Sequence, residues 1–212
     1  MLVHTNKFAA ILLAAGQSTR FETGSKLTHI IKDRPLISWS LSPLIKSNLE
    51  QVIIVTGCHA ETINTAITPL KDQHPNLTTI HNEIFELGMG NSIATGMTAI
   101  SSNIEGVFIC LADMPKITED IFTKLAHSFA NQQNRETTKN KSIFRPSYQG
   151  KPGHPVLFSK IHFEKLASLN GNQGARQIIK SNQDALELIA MDSPHTRLDI
   201  DNRQDLTKLF SY

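Results

Sequence analysis

Short, wholly apolar runs recur along this chain, and most are followed by a stretch with helical spacing of its apolar positions. Phe8 to Ala14 is the first such run, and its lack of alternation suits a strand buried on both faces. Pro35 then opens a helical stretch to about Ser47, with Leu36, Trp39, Leu44 and Ile45 as its apolar positions. Gln51–Thr56 is short and β-branched, a second buried strand. Ala60–Leu70 suits a helix ending around Pro69, and Leu77–His81 a third strand. Gly90–Ser102 reads as a helix, and Gly106–Ala112 as another buried strand. After the turn Asp113-Met114-Pro115, Thr118 is placed to cap a helix whose inner face carries Ile121, Phe122, Leu125 and Phe129. Residues 131–141 are polar and aperiodic, a surface excursion. From Ser142 the pattern gives a strand, the loop Gly150–Pro155, a strand and a helix from about Ser159. A glycine-rich turn at Gly171–Gly174, a helix to Ser181, the strand Ala185–Met191 and a helix near Asp201–Phe210 complete it. Strand and helix alternate throughout, which predicts a mostly parallel sheet between two layers of helices. Ligands of such sheets sit beyond the carboxyl ends of the strands.

Composition narrows the partners. The 212 residues suffice for one well-filled domain, and the formal charge of +2 gives a weak surface field. A dedicated nucleic-acid binder would carry a basic stripe. The nearest approach to one, Arg135, Lys139, Lys141 and Arg145, reads as a solvated loop. Cys58 and Cys110 are far apart, and Cys110 sits in an apolar run as a buried thiol, a reducing-compartment pattern. No apolar stretch reaches the ~20 residues of a membrane helix. Lys7 precedes only a short apolar run, with no signal-peptide pattern. The expectation is a cytoplasmic protein that binds neither membrane nor nucleic acid.

The densest chemistry follows the first strand. Leu13-Ala14-Ala15-Gly16-Gln17-Ser18-Thr19-Arg20 and then Lys26 combine small residues with two cations. Small residues let backbone N–H groups approach a ligand, and a run of such groups with cations beside it is an anion site. The alternative is a plain strand-to-helix turn. Gly-x-Gly-x-x-Gly is absent, and the Walker spacing from Gly16 requires glycine where Phe21 stands. The pattern therefore suggests a triphosphate cradle of another kind.

Other groups belong at the same sheet end. Asp113, after a buried strand, suits a hard cation such as magnesium, or else a turn. Asp199 or Asp201 offers a second carboxylate, although Asp201 is equally suited to capping the last helix. Gly88, Gly90, Asn91 and Ser92 precede a helix in a form suited to phosphate or sugar, or to simple capping. Gly153-His154-Pro155 lies in a rigid loop, expected to be exposed, with an accessible imidazole. No zinc spacing and no serine nucleophile elbow occurs.

Taken in order, Leu13–Phe21 with Lys26, Pro35-Leu36, Gly88–Ser92 with Gly96, Leu111–Pro115, Gly153–Phe158, Asn170–Arg176 and Asp199–Asp201 resemble the molybdenum cofactor cytidylyltransferase family, within the MobA-like NTP transferase superfamily. The resemblance covers nearly the whole chain. It implies a three-layer α/β/α, Rossmann-like nucleotidyltransferase fold in one domain, residues 1–212. The nucleotide part would be about 1–115 and the acceptor part about 116–212. The implied reaction moves CMP from CTP to molybdenum-bearing molybdopterin and releases pyrophosphate, with Mg2+ as cofactor and transient contact with a molybdoenzyme. The implied catalytic residues are Lys26, Arg20 and Asp113. The implied nucleotide residues are Leu13, Ala14, Ala15, Gly16, Ser18, Arg20, Lys26, Gly90, Asn91, Ser92 and Asp113. Gly153, His154 and Pro155 would meet the acceptor, and Asp113 and Asp201 the metal. Guanylyl relatives tend to carry Leu-Ala-Gly-Gly, so Ala15 favours cytidine. Phe21–Ser25 are extra residues before Lys26, and Asn202-Arg203 stands where Thr-Pro is usual. Other readings are a guanylyl or sugar-phosphate nucleotidyltransferase, or a carrier of the molybdenum cofactor without catalysis.

Overall fold

The computed structural model describes residues 7–18, 21, 24–133, 141–202 and 204–206. Strand β1 (Phe8–Ala14) is the axis of the molecule. Its neighbours are β4 (Gln51–Thr56) and β6 (Gly106–Leu111), both parallel to it. Beyond β4 lies β5 (Leu77–His81), also parallel. Beyond β6 come β9 (Val156–Ser159), β7 (Ile143–Tyr148) and β10 (Leu186–Ala190). β9 runs antiparallel to both β6 and β7, so the sheet is mostly parallel with one reversed inner strand. Short β8 (Lys151–Pro152) folds back on β7. A separate hairpin joins β2 (Ile30–Ile31) to β3 (Arg34–Pro35).

The alternation of β1 divides the core. Phe8, Ala10, Leu12 and Ala14 face one layer of helices, α1 (Leu36–Lys46), α2 (Ala60–Gln73) and α4 (Glu119–Gln133). Ala9, Ile11 and the partly buried Leu13 face the other, α3 (Met89–Met97), α5 (Phe163–Ala167) and α6 (Arg176–Ser181). Phe8, Phe108, Phe122, Phe129 and Phe144 form a chain of tilted and edge-on contacts through the first layer, with centroids 5.1–5.9 Å apart. In the second layer α3 lies against the sheet at Gly96, where a methyl group would come within 2.7 Å of Ile11. Cys110 is a buried thiol, its pKa pushed up by burial.

Several elements depart from the sequence pattern. Pro69 lies inside α2, which continues one further turn to Gln73. α3 starts at Met89 and stops at Met97. The helix expected from Ser159 is a 3-10 turn, Lys160–His162, followed by the five-residue α5. Arg145 is not in a solvated loop: it is a half-buried residue of β7, and the neighbouring Lys141 donates to the carbonyls of Asp184 and Leu186. Arg135 and Lys139 lie outside the described residues, as does most of the polar excursion. Among the described residues no helix is long and apolar enough to cross a membrane.

Candidate active site

The carboxyl ends of β1 and β6 form the floor of a cleft of about 530 Å³. Leu13 to Ser18 line one side of it. Gly16 is exposed, its φ is not in the left-handed region, and a methyl group there would meet nothing within 4 Å. Neither backbone conformation nor internal packing therefore calls for glycine at this position. Its small size leaves room on the cleft side. Ser18 adopts φ of 54°, unusual for a residue with a side chain. Its carbonyl accepts from the N–H of Phe21 (2.8 Å), and its hydroxyl accepts from the N–H of Lys26 (3.2 Å). Phe21 is buried, and the contact of Lys26 with Ser18 brings that lysine back to the loop. The hydroxyl of Ser25 then accepts from Leu27 and caps the turn Lys26–Thr28.

Lys26 sits among the acidic groups. Its ammonium lies 2.6 Å from Asp113 Oδ2, donates to the carbonyl of Ile200 at 2.8 Å, and is 3.9 Å from Asp201 Oδ1. The turn that carries Asp113 is fixed from three sides. Ser40 donates to the carbonyl of Ala112 (2.7 Å), the N–H of Ala112 reaches Leu13 (3.2 Å), and the N–H of Ile200 reaches the carbonyl of Asp113 (2.9 Å). Asp201 does not cap the last helix. Asn202 takes that place: its Oδ1 accepts from the N–H of Asp205, while Asp205 accepts from the N–H groups of Asp201 and Asn202. The Asp201 side chain lines the cleft. Asp199 has its pKa raised by desolvation and by the charges of Asp113 and Asp201.

A hard cation fits this arrangement. Asp113 Oδ1 is buried and has no hydrogen-bond partner among the described residues. Magnesium asks for one or two carboxylates, with water and substrate phosphate completing its shell. Asp113 and Asp201 supply that much. Among the described residues no cluster of three or more His, Cys, Asp or Glu side chains could hold a metal.

The opposite wall was only partly legible. Phe85, Glu86, Gly88, Met89, Ser92 and Asn172 line it. Phe85 is brought in by Gly57, where a methyl group would stand 2.7 Å from Phe85 and 2.8 Å from the carbonyl of Ala15. Ser92 accepts from Asn82 Nδ2 at 3.0 Å. Gly90 and Asn91, expected at the nucleotide, do not line the cleft. The N–H of Gly90 donates to the carbonyl of Gly171 (2.8 Å), and Asn91 is buried. The small size of Gly90 serves the packing of the Gly171 turn onto α3. Arg20 lies outside the described residues.

The Gly153–Pro155 loop is the clearest departure. It is not exposed: Gly153 and Pro155 are buried and His154 is half-buried, lining a small void with Leu12, Ser40 and Cys110 rather than the cleft. A methyl group on Gly153 would collide with the carbonyl of Thr196, which also accepts from the N–H of His154 (2.8 Å). Desolvation by burial, and then the charge of Arg145, push the imidazole down to about 4. A neutral ring enclosed in this way is not an accessible base.

Known proteins agree with this fold. Rv0371c from Mycobacterium tuberculosis H37Rv superposes with a TM-score of 0.80 at 20% identity, covering 98% of this chain and all of that one. A manganese complex of Rv0371c superposes at 0.75, and a nucleotidyl transferase from Methanothermobacter thermautotroptrophicus (Mth528) at 0.76, with 15% identity over 96% of each chain. In sequence, the purine catabolism protein PucB of Bacillus subtilis (strain 168) is 27% identical over 82% of this chain and 80% of its own. The molybdenum cofactor cytidylyltransferase of Escherichia coli (strain K12) is 25% identical over 71% and 69%. The bifunctional protein GlmU of Cutibacterium acnes (strain DSM 16379 / KPA171202) is 26% identical over 68% of this chain, which spans only 34% of that protein. The MobA-like NTP transferase domain matches residues 10–186, most of the length, and the chain belongs to that family.

Proposed function

We propose that the chain transfers CMP from CTP to the terminal phosphate of a molybdenum-bearing molybdopterin, releasing pyrophosphate. The observation that carries this reading is the meeting of Lys26, Asp113 and Asp201 beneath a loop whose Gly16 has no packing reason to be glycine. Backbone N–H groups of Ala14 to Ser18 would hold the triphosphate, with Arg20 as a further cation. Asp113 and Asp201 would hold Mg2+, which when bound neutralises phosphate charge and orients the α-phosphate. The acceptor phosphate attacks the α-phosphorus, and the bond to the bridging oxygen of the leaving pyrophosphate breaks. A phosphate nucleophile is already anionic, so no general base is required, in keeping with a His154 that is enclosed. Lys26, held by Asp113 before substrate arrives, can turn its ammonium toward the phosphates where charge grows. Such stabilisation by a fixed charge acts where it lowers the barrier.

The cytidylyl choice rests on Ala15 and on the resemblance to the E. coli cytidylyltransferase. Ala15 is buried at the cleft edge, its methyl standing where guanylyl relatives have hydrogen, and it should crowd a purine more than a pyrimidine. A second reading within the same superfamily is a sugar phosphate as acceptor. Pyrophosphate release measured with CTP, GTP and UTP, each with the molybdenum cofactor or a sugar phosphate, decides between them. We expect turnover with CTP and the molybdenum cofactor well above every other pair. Turnover with GTP equal to or above CTP would contradict the cytidylyl reading. A preference for a sugar phosphate would replace the acceptor.

A further inference from the structure

The segment Asn170–Arg176 and the basic residue Arg145 have no part in the chemistry above. Arg145 follows Ile143 by two residues on β7, so the two share a face of the sheet. Ile143 packs in the second core layer with Ala175, Ile178 and Ile179 of the segment that carries Arg176. The two arginines therefore lie on one side of the sheet, on segments that share one core layer. Arg145 is half-buried, and the partner of its Nε–H is the carbonyl of Gly153 at 2.6 Å. Among the described residues neither arginine has a carboxylate within ion-pair distance. A guanidinium has five donors, and desolvating it beside a like charge without a counter-ion is costly. The location adjoins the cleft: Asn172 lines it, and Gly174 packs on Met89, which lines it too.

We infer that Arg145 and Arg176 form a second anion subsite, distinct from the triphosphate cradle, that binds a phosphate-type dianion of the acceptor. Two positive charges match a dianion better than a carboxylate, and the planar fork of arginine suits bidentate contact with phosphate oxygens. The inference rests on the nucleotidyl-transfer reading of the cleft. It adds the residues that receive the acceptor's phosphate. Burial pushes the Arg145 guanidinium below its usual value, as does the charge of Arg176, and an arriving anion relieves both.

The test is a calorimetric titration with inorganic phosphate at constant ionic strength. The protein is first saturated with magnesium and a non-reactive CTP analogue, so that the cradle is occupied. Wild type should bind phosphate, and bind acetate at least tenfold more weakly. Arg176→Met and Arg145→Met should each weaken phosphate roughly tenfold or more, the scale of one lost charge-assisted hydrogen bond. Both should still bind the nucleotide analogue with wild-type affinity. Arg176 is exposed, so Arg176→Met keeps the test decisive even if the half-buried Arg145 variant fails to fold. Phosphate affinity unchanged in Arg176→Met, no phosphate binding by wild type, or equal binding of acetate would each overturn the subsite. In those cases retained nucleotide binding leaves the transfer reading standing. Loss of nucleotide binding in wild type would instead remove the reading on which the subsite rests.

Discussion

Two glycine-bearing loops lie at the same edge of the sheet, and their glycines have opposite causes. At Gly16, after β1, a methyl group would enter open cleft. At Gly153, before β9, it would collide with the carbonyl of Thr196 and lie 2.6 Å from its hydroxyl oxygen. The first glycine has no packing cause within the chain, and in the proposed reading it leaves room for a ligand; the second makes room for the chain itself. Gly88 and Gly90 belong with Gly153: each would meet the backbone of residues 170–171. A small residue in a loop is thus an equivocal sign of a ligand site. The sign is meaningful when the fold has no use for the missing side chain.

The contrast can be broken or sharpened by substitution, beginning with the largest effect. Asp113→Asn removes a charge at the cleft floor. Turnover should fall at least about a hundredfold with the melting temperature preserved, as when one preorganised electrostatic group is lost. Near-normal steady-state turnover would make Asp113 a turn residue. Next come the two glycines as a pair. Gly153→Ala should cost about 1–3 kcal/mol in a denaturant titration, the usual scale of overpacking. Gly16→Ala should change stability by less than about 0.5 kcal/mol, yet weaken CTP about tenfold in calorimetry through one lost phosphate contact. The comparison collapses if Gly16→Ala destabilises the fold as much as Gly153→Ala does. For Asp201→Asn, whose carboxylate is more exposed and lies 3.9 Å from Lys26, the loss of turnover should be smaller than for Asp113.

The smallest effect is a pH dependence. His154 is held neutral by burial, its pKa lowered to about 4 from about 6.5 in the unfolded chain. On acidification the unfolded state takes up a proton first, so the contribution is present above about pH 6.5 and is lost as pH falls toward 4. With solvent screening it amounts to at most about 2 kcal/mol. Melting temperatures of His154→Gln across that range should fall less steeply than those of wild type, and parallel curves would mean that the ring is solvated in the native state.

What could be read without coordinates was what local pattern dictates. Phe8–Ala14 and Gln51–Thr56 are observed strands because short, buried apolar runs suit the centre of a parallel sheet, and the β-branched, half-exposed Leu77–His81 is its edge strand. The loop after β1 and Asp113 after β6 followed from topology, since both strands end at the same edge. What escaped depends on contacts distant in sequence. The reversal of β9 leaves no mark in its apolar residues. Phe85, Glu86 and Asn172 reach the cleft through Gly57 and the Gly171 turn. The flanking Gly and Pro suggest an exposed His154, whereas residues distant in sequence, Leu12, Ser40 and Cys110 among them, surround it. Asp201 and Asn202 are equally suited in sequence to cap the last helix, and only the fold shows that Asn202 does so.

The central claim is that Lys26 acts on the reacting phosphates and is not merely the counter-ion of Asp113. Lys26→Met retains much of the apolar stem and removes the charge, and one preparation can be used for both CTP calorimetry and pyrophosphate-release kinetics. A group whose contact strengthens in the transition state affects kcat more than ground-state binding. The account predicts a kcat loss of at least about a hundredfold with a clearly smaller loss of CTP affinity. Unchanged kcat in Lys26→Met, or a loss confined to CTP affinity, would contradict it.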